Sequence, residues 1–202
     1  LGDALAKSID EGAKLSIISS YFTVFAFSEL KEELEKVDSV RFLFSEPTFV
    51  KRMASDKDPR QFAISQCSRE RGVGGLGLEL TLRNNLNQRA IARECAEWVR
   101  AKCEFQSAKM NGAIQPGGTY IVENPNGEDH AFMGAAADFT QEGLGYERRP
   151  NTVMGVSHYE GATETAGLKA MFESVWDKPA MVADVTDEVA AQVGTLYREN
   201  PP

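Results

Sequence analysis

The chain has 202 residues, of which 42% are hydrophobic and 26% charged, and it carries a net charge of −8 at neutral pH. That length suits one domain or slightly more, with enough apolar residues to bury a core without disulfides, and the charge argues against a wholly basic nucleic-acid binder. No apolar run approaches the roughly 18 residues of a membrane span and no signal-peptide pattern is present, so a cytoplasmic protein is expected; Cys67, Cys95 and Cys103 form no CxxC pair and read as free thiols of a reducing compartment.

Residues 2–13, GDALAKSIDEGA, set Leu5 and Ile9 on one side and charges on the other. This predicts a helix that Gly12 ends. KLSIISSYF is short, apolar and rich in β-branched residues, as in a buried strand. AFSELKEELEKV reads as a helix capped by Ser28, with Glu32 and Lys36 an i,i+4 pair and Leu30 and Leu34 facing the core. SVRFLFSE returns as a strand, and the strand–helix–strand order predicts a parallel pair with a right-handed crossover. Within residues 47–77, ASDKDPR is polar and turn-like. GVGGLG, from Gly72 to Gly77, formally matches GxGxxG, but it follows the polar run SQCSRER and not a strand, so it reads as a loop.

Residues 82–102, LRNNLNQRAIARECAEWVRAK, predict a long helix. Leu86, Ile91, Ala92, Cys95 and Val99 form its apolar stripe, with Trp98 at the border. Arg89, Arg93, Arg100 and Lys102 fall largely on the polar side. That side is either a solvated face or one that meets successive backbone phosphates. The span from Lys51 to Lys109 is rich in Arg and Lys, while the acids gather toward the two ends, which permits a basic face on an acidic chain. CEFQSA reads as a strand, and GTYIVEN and HAFMGAA as an antiparallel hairpin around PNGED. NTVMGVSH reads as a further strand. TAGLKAMFESVWD, stopped by Pro179, and DVTDEVAAQVGTLYREN, capped by Asp184 or Thr186, close the chain as helices. The missing initial methionine and the ending YRENPP suggest one domain of a longer protein.

Four stretches, LSIISSYFTVFAFSELKEELEKVDSVRFLFSEPTFV, LRNNLNQRAIARECAEWVRAK, MGAAADFTQEGLG and DVTDEVAAQVGTLYRENPP, carry a resemblance. Together they resemble the phospholipase D-like region at the N-terminus of bacterial Swi/Snf-type, DEAD/DEAH-related helicases. The resemblance implies an α/β fold, with a phospholipase D-like mixed β-sheet flanked by helices over 1–160 and a C-terminal helical segment over 161–202. That segment would pack on the sheet or lead to a helicase motor outside this chain.

Members of that superfamily carry H-x-K-x4-D followed by a G-S-x-N-like turn. The histidine attacks phosphorus, the lysine holds the non-bridging oxygens, and a second histidine protonates the leaving group. Laid on PGGTYIVENPNGEDHAFMGAAADFT, the pattern puts the histidine slot on Pro116, the lysine slot on Gly118 and the acidic slot on Glu123. The turn becomes Gly134 to Asp138, with either Ala137 or Asp138 in place of the asparagine. The nucleophile and the phosphate-holding charge are gone, and only Glu123 keeps its charge type. His130, beside Asp129, reads as a solvated turn residue. His158 closes a strand near the expected site and is the weak catalytic candidate.

Cysteine and histidine spacing fits no zinc pattern, and the acids of DVTDE open a helix, where they favour its dipole. No metal and no cofactor are expected. No GxxxxGK[ST] loop is present, so the ATP site of a helicase is not in this chain. The resemblance thus implies a non-catalytic accessory domain of an ATP-dependent DNA helicase or translocase. Its partners would be DNA, met through Arg89, Arg93, Arg100, Arg148 and Arg149, and the motor domains of the same polypeptide. Two alternatives stand beside it: a phosphodiesterase or nuclease using atypical residues such as His158 and Glu123, and a homodimerisation or protein-interaction module.

Overall fold

The computed structural model describes residues 1–48, 77–115, 117–147 and 155–195, the side chains of 77–88 and 195 excepted. Among these residues the strands are β1 Lys14–Ser19, β2 Ser39–Phe44, β3 Cys103–Ala108, β4 Gly118–Glu123, β5 His130–Gly134, β6 Ser157–Glu160 and β7 Val182–Asp184. The helices are α1 Gly2–Ser8, α2 Val24–Glu29, α3 Lys31–Lys36, α4 Gly77–Lys102, α5 Gln141–Leu144, α6 Ala162–Trp176 and α7 Thr186–Thr195. The strands form one sheet in the order β6-β5-β4-β1-β2-β3-β7. β1, β2 and β3 run parallel; every other pairing in the sheet is antiparallel. The chain is therefore α/β, a seven-stranded mixed sheet with helices that include C-terminal ones, and no helix among the described residues is long and apolar enough to cross a membrane.

Successive side chains of a strand point to opposite faces, and both faces of this sheet are covered. On one, Leu15, Ile17, Val40, Phe42, Phe105, Tyr120 and Phe132 join residues of α1 to α4 and α7 in the larger core. Four rings knit its centre: Phe22 stands edge-on to Phe42 at 5.5 Å and to Phe105 at 5.4 Å, and stacks on Phe139 at 5.4 Å. On the other face Ile18, Leu43, Ala108, Ile121 and Ala131 meet Phe172 and Trp176 of α6.

The parallel β1–β2 pair, the β4–β5 hairpin and the long α4 form as the sequence predicts. Elsewhere the structure corrects the expectation. The helix predicted over AFSELKEELEKV is two short helices, broken at Leu30. Thr23, not Ser28, is the cap; its hydroxyl accepts from the Ala26 N–H at 3.1 Å. The i,i+4 ion pair is Lys31–Glu35 at 3.7 Å, and Lys31 also reaches Glu94 of α4 at 3.1 Å. Trp98 lies inside the apolar stripe, not at its border: its ring is buried against Phe27, and its indole N–H donates to the Leu34 carbonyl at 3.0 Å. α1 stops at Ser8, and Gly12, with φ +80°, serves the turn before β1. β7 was not foreseen; it lies between the two C-terminal helices and pairs with β3. Thr186 ties α7 to the sheet, since its hydroxyl accepts from the Phe105 N–H of β3 at 2.9 Å. Gly72 to Leu76 of the GxGxxG run lie outside the described residues, and Gly77 opens α4. Cys95 and Cys103 are buried free thiols whose ionisation is pushed up by burial; Cys67 lies outside the described residues.

One charged group sits at the seam between the sheet and α6. The Arg41 guanidinium forks onto the Glu173 carboxylate at 3.0 and 2.6 Å and donates to the Ser16 hydroxyl at 3.1 Å. It lies over the Phe172 ring at 4.9 Å and faces Glu123 at 3.9 Å. The hydrogen bond from Arg41 holds the Glu173 carboxyl below its ordinary value of 4.5. A carboxyl depressed in the folded state adds stability above its unfolded pKa and loses it as pH falls through the folded value. Wild type should therefore lose more urea resistance than Glu173→Gln between neutral pH and pH below 4.5; equal losses in paired titrations would show that this fork contributes nothing to the acid response.

Candidate functional site

The carboxyl ends of β1, β2 and β3 lie side by side, the edge at which parallel sheets commonly bind ligands. Here that edge carries Ser19, Ser20, Ser45 and Ser107, and the segment after β5 folds back over it. Asp138 accepts from the Ser20 N–H at 2.9 Å and from the Ser19 hydroxyl at 3.1 Å. The Ser19 hydroxyl also accepts from the Phe139 N–H at 2.9 Å. Ser20 and Ser45 share a hydroxyl hydrogen bond at 2.8 Å, and Ser107 accepts from the Thr48 N–H at 2.7 Å. Ser19, Ser45 and Ser107 are buried. Among the described hydrogen bonds and ion pairs, no imidazole, ammonium or guanidinium reaches these groups. A buried serine without a nearby base is a poor nucleophile, so the rim works as a polar knot that joins strand ends to a turn.

The slots of the phosphodiesterase pattern fall apart around this knot. Pro116 lies outside the described residues. Gly118 opens β4 directly beneath the turn: a Cβ there would stand 1.6 Å from the Ala137 carbonyl oxygen. That same oxygen accepts from the buried Tyr120 hydroxyl at 2.7 Å. Burial, with the Asp138 charge adding to it, pushes the Tyr120 phenol well above its ordinary value, so it remains a neutral donor. Of the two candidates for the asparagine position, Ala137 is fully buried in the core and Asp138 makes the polar contacts. Its carboxylate turns onto the β1 end and its neighbouring N–H. Glu123 sits at the far end of β4, where it pairs with Lys169 and Arg41 beneath α6.

His158 and His130 are brought together, which their separation of 28 residues gave no reason to expect. His130 opens β5 and is not a turn residue. Nδ1 of His130 lies 3.3 Å from Nε2 of His158, and the His158 ring stacks on Phe132 with centroids 4.2 Å apart. The register pairs Val122 with His130 and Phe132 with His158. Both imidazoles therefore share the Val122 face, and Glu123 projects from the opposite one. His158 and Glu123 cannot act on one substrate from the two sides of a sheet.

Along α4, Arg89, Arg93 and Arg100 fall within about 40° of one another at 3.6 residues per turn. Arg93 and Arg100 are exposed and Arg89 is half-buried. Arg93 faces Glu97 at 3.8 Å across open surface, and Arg100 lies beside Gly194 of α7. Lys102 is engaged elsewhere; its ammonium donates to the Glu35 and Val37 carbonyls at 2.5 and 2.7 Å, at the end of α3. Arg148 and Arg149 lie outside the described residues.

Two substitutions test the knot. Gly118→Ala should destabilise by about 3 kcal/mol or more, because the Ala137 carbonyl is backbone and is itself held by Tyr120; a urea midpoint near wild type would mean that the turn yields easily. Asp138→Asn keeps an acceptor for Ser19 and Ser20 and should stay within about 1 kcal/mol of wild type, whereas Asp138→Ala should lose about 1–3 kcal/mol. Equal effects of the two would remove the hydrogen bonds from this account. The chain matches no protein-family model, and a search of curated proteins finds no match to it.

Proposed function

We propose that this domain is a non-catalytic, phospholipase D-like accessory module of a DNA helicase or translocase, one that grips DNA by its backbone phosphates. The observation that carries the non-catalytic part is the position of Gly118. In the resembled enzymes this slot holds the lysine that clamps the phosphate, and here the Ala137 carbonyl occupies the space a side chain would need. The rest of the chemistry is dispersed: the Ser19 hydroxyl is buried, Glu123 is under α6, and the imidazoles are on the other face.

The arginine stripe of α4 supports the binding part. Exposed guanidiniums at helical spacing meet successive phosphates without reading sequence. The Arg93–Glu97 pair is solvent-exposed on both sides, and such pairs are worth little, so a phosphate readily displaces the carboxylate. An overall charge of −8 excludes a generally basic surface, so binding depends on local groups of arginines such as this one.

Fluorescence anisotropy of labelled single- and double-stranded DNA, at low and at physiological salt, tests the reading. Affinity should fall steeply with salt. The double change Arg93→Ala, Arg100→Ala should weaken binding to all sequences alike and lower the salt slope by about two, one for each phosphate contact. No binding even at low salt would overturn the DNA role and turn attention to docking on the motor or on a second copy. Cleavage of a chromogenic phosphodiester that is lost in His158→Ala would overturn the non-catalytic part.

A further inference from the structure

The sequence contains two histidines, and the sheet sets them face to face. His130 of β5 stands directly across from Glu160 of β6, and His158 lies two residues before Glu160 on the same strand. Alternate residues share a face, so all three side chains rise from one patch of the sheet edge. Nδ1 of His130 and Nε2 of His158 are 3.3 Å apart, and His158 Nδ1 is 3.6 Å from a Glu160 carboxylate oxygen. One ligand atom from each residue lies within 4.8 Å of the other two.

We propose that His130, His158 and Glu160 form a binding site for a divalent transition-metal ion of the zinc class. Three features carry this. Two ring nitrogens that face each other at 3.3 Å cannot both carry protons, so at least one lone pair points into the gap. Zinc–imidazole bonds of about 2.0–2.1 Å at tetrahedral angles place their nitrogens about 3.3 Å apart, so the pair already has the edge length of a coordination tetrahedron. Finally, the His158 ring is held flat on Phe132, with 8° between the planes, and Phe132 is itself buried. That stacking restrains one ligand before the ion arrives.

Two imidazoles and a carboxylate suit zinc, copper and nickel better than calcium or magnesium, which prefer all-oxygen shells. Glu160 brings the negative charge, and its exposed chain closes the remaining distance by rotation. β6 is the edge strand, and the His158 side chain is 37% exposed, so an ion enters from solvent and keeps an open position for water.

The test uses the tag-free chain in a Cys67→Ser background, so that this thiol does not ligate. Titration with zinc chloride in a calorimeter at neutral pH should show one ion per chain. A long-range 1H–15N spectrum tuned to imidazole nitrogens contains two histidine systems, and both should shift together on saturation. His130→Ala and His158→Ala should each weaken binding by at least about tenfold, the scale of losing even an orienting partner of a metal ligand, and Glu160→Gln should weaken it measurably. All three positions lie near the edge of the sheet, and unchanged urea midpoints without zinc would confirm that the variants fold. Absence of binding, a shift of only one imidazole, or affinity unchanged in both histidine variants would overturn the site.

Discussion

The close approach of the 134–140 segment to the strand ends sets the character of this molecule. Gly118 brings bare backbone against the Ala137 carbonyl, Tyr120 holds that carbonyl from below, and Asp138 reaches across to Ser19 and Ser20. The contact joins β4, β5 and β1 at one point, and Phe139 follows directly into the ring cluster with Phe22 and Phe42. Each group satisfies another, so burial costs little unpaired polarity. The same closure leaves no room for a side chain at position 118.

The sheet then separates the remaining reactive groups. Alternation along β4 and the antiparallel registers send Glu123 toward α6 and the imidazoles to the opposite side. On the α6 side, the fork of Arg41 to Glu173, its contact with Glu123 and its place over Phe172 hold the helix to the sheet. A guanidinium suits this seam because it can fork to a carboxylate and lie flat on a ring at once. Among the described residues, Arg93 and Arg100 of α4 are exposed, and the histidine pair lies at the far edge of the sheet.

Much of the local structure was legible. Helix α4 announces itself through Ala92, Cys95 and Val99 at helical spacing, and the hairpin through PNGED between two apolar runs. Parallel pairing of β1 and β2 follows from the helical segment that intervenes. The failures are equally specific. The break at Leu30, where the backbone leaves the helical region at φ −110° and ψ 14°, lies in a run of helix-forming residues that carries no local sign of it. Trp98 reads as a border residue from helical position alone; burial against Phe27 and the Leu34 carbonyl shifts it inward. β7 is three residues long, too short to carry an alternation signal.

The α/β class was what the resemblance implied, while local pattern by itself determined the strand–helix–strand opening, the β4–β5 hairpin and the long arginine-bearing helix. These are properties of residues close together in the chain, and local pattern encodes them. Only the tertiary structure decided that Gly118 has no room for a side chain, that Asp138 secures a strand end, and that His130 and His158 meet. Each depends on the register between strands separated by loops. A shift of one residue there would turn every side chain to the other face, and no local pattern in either strand specifies which partner it will meet.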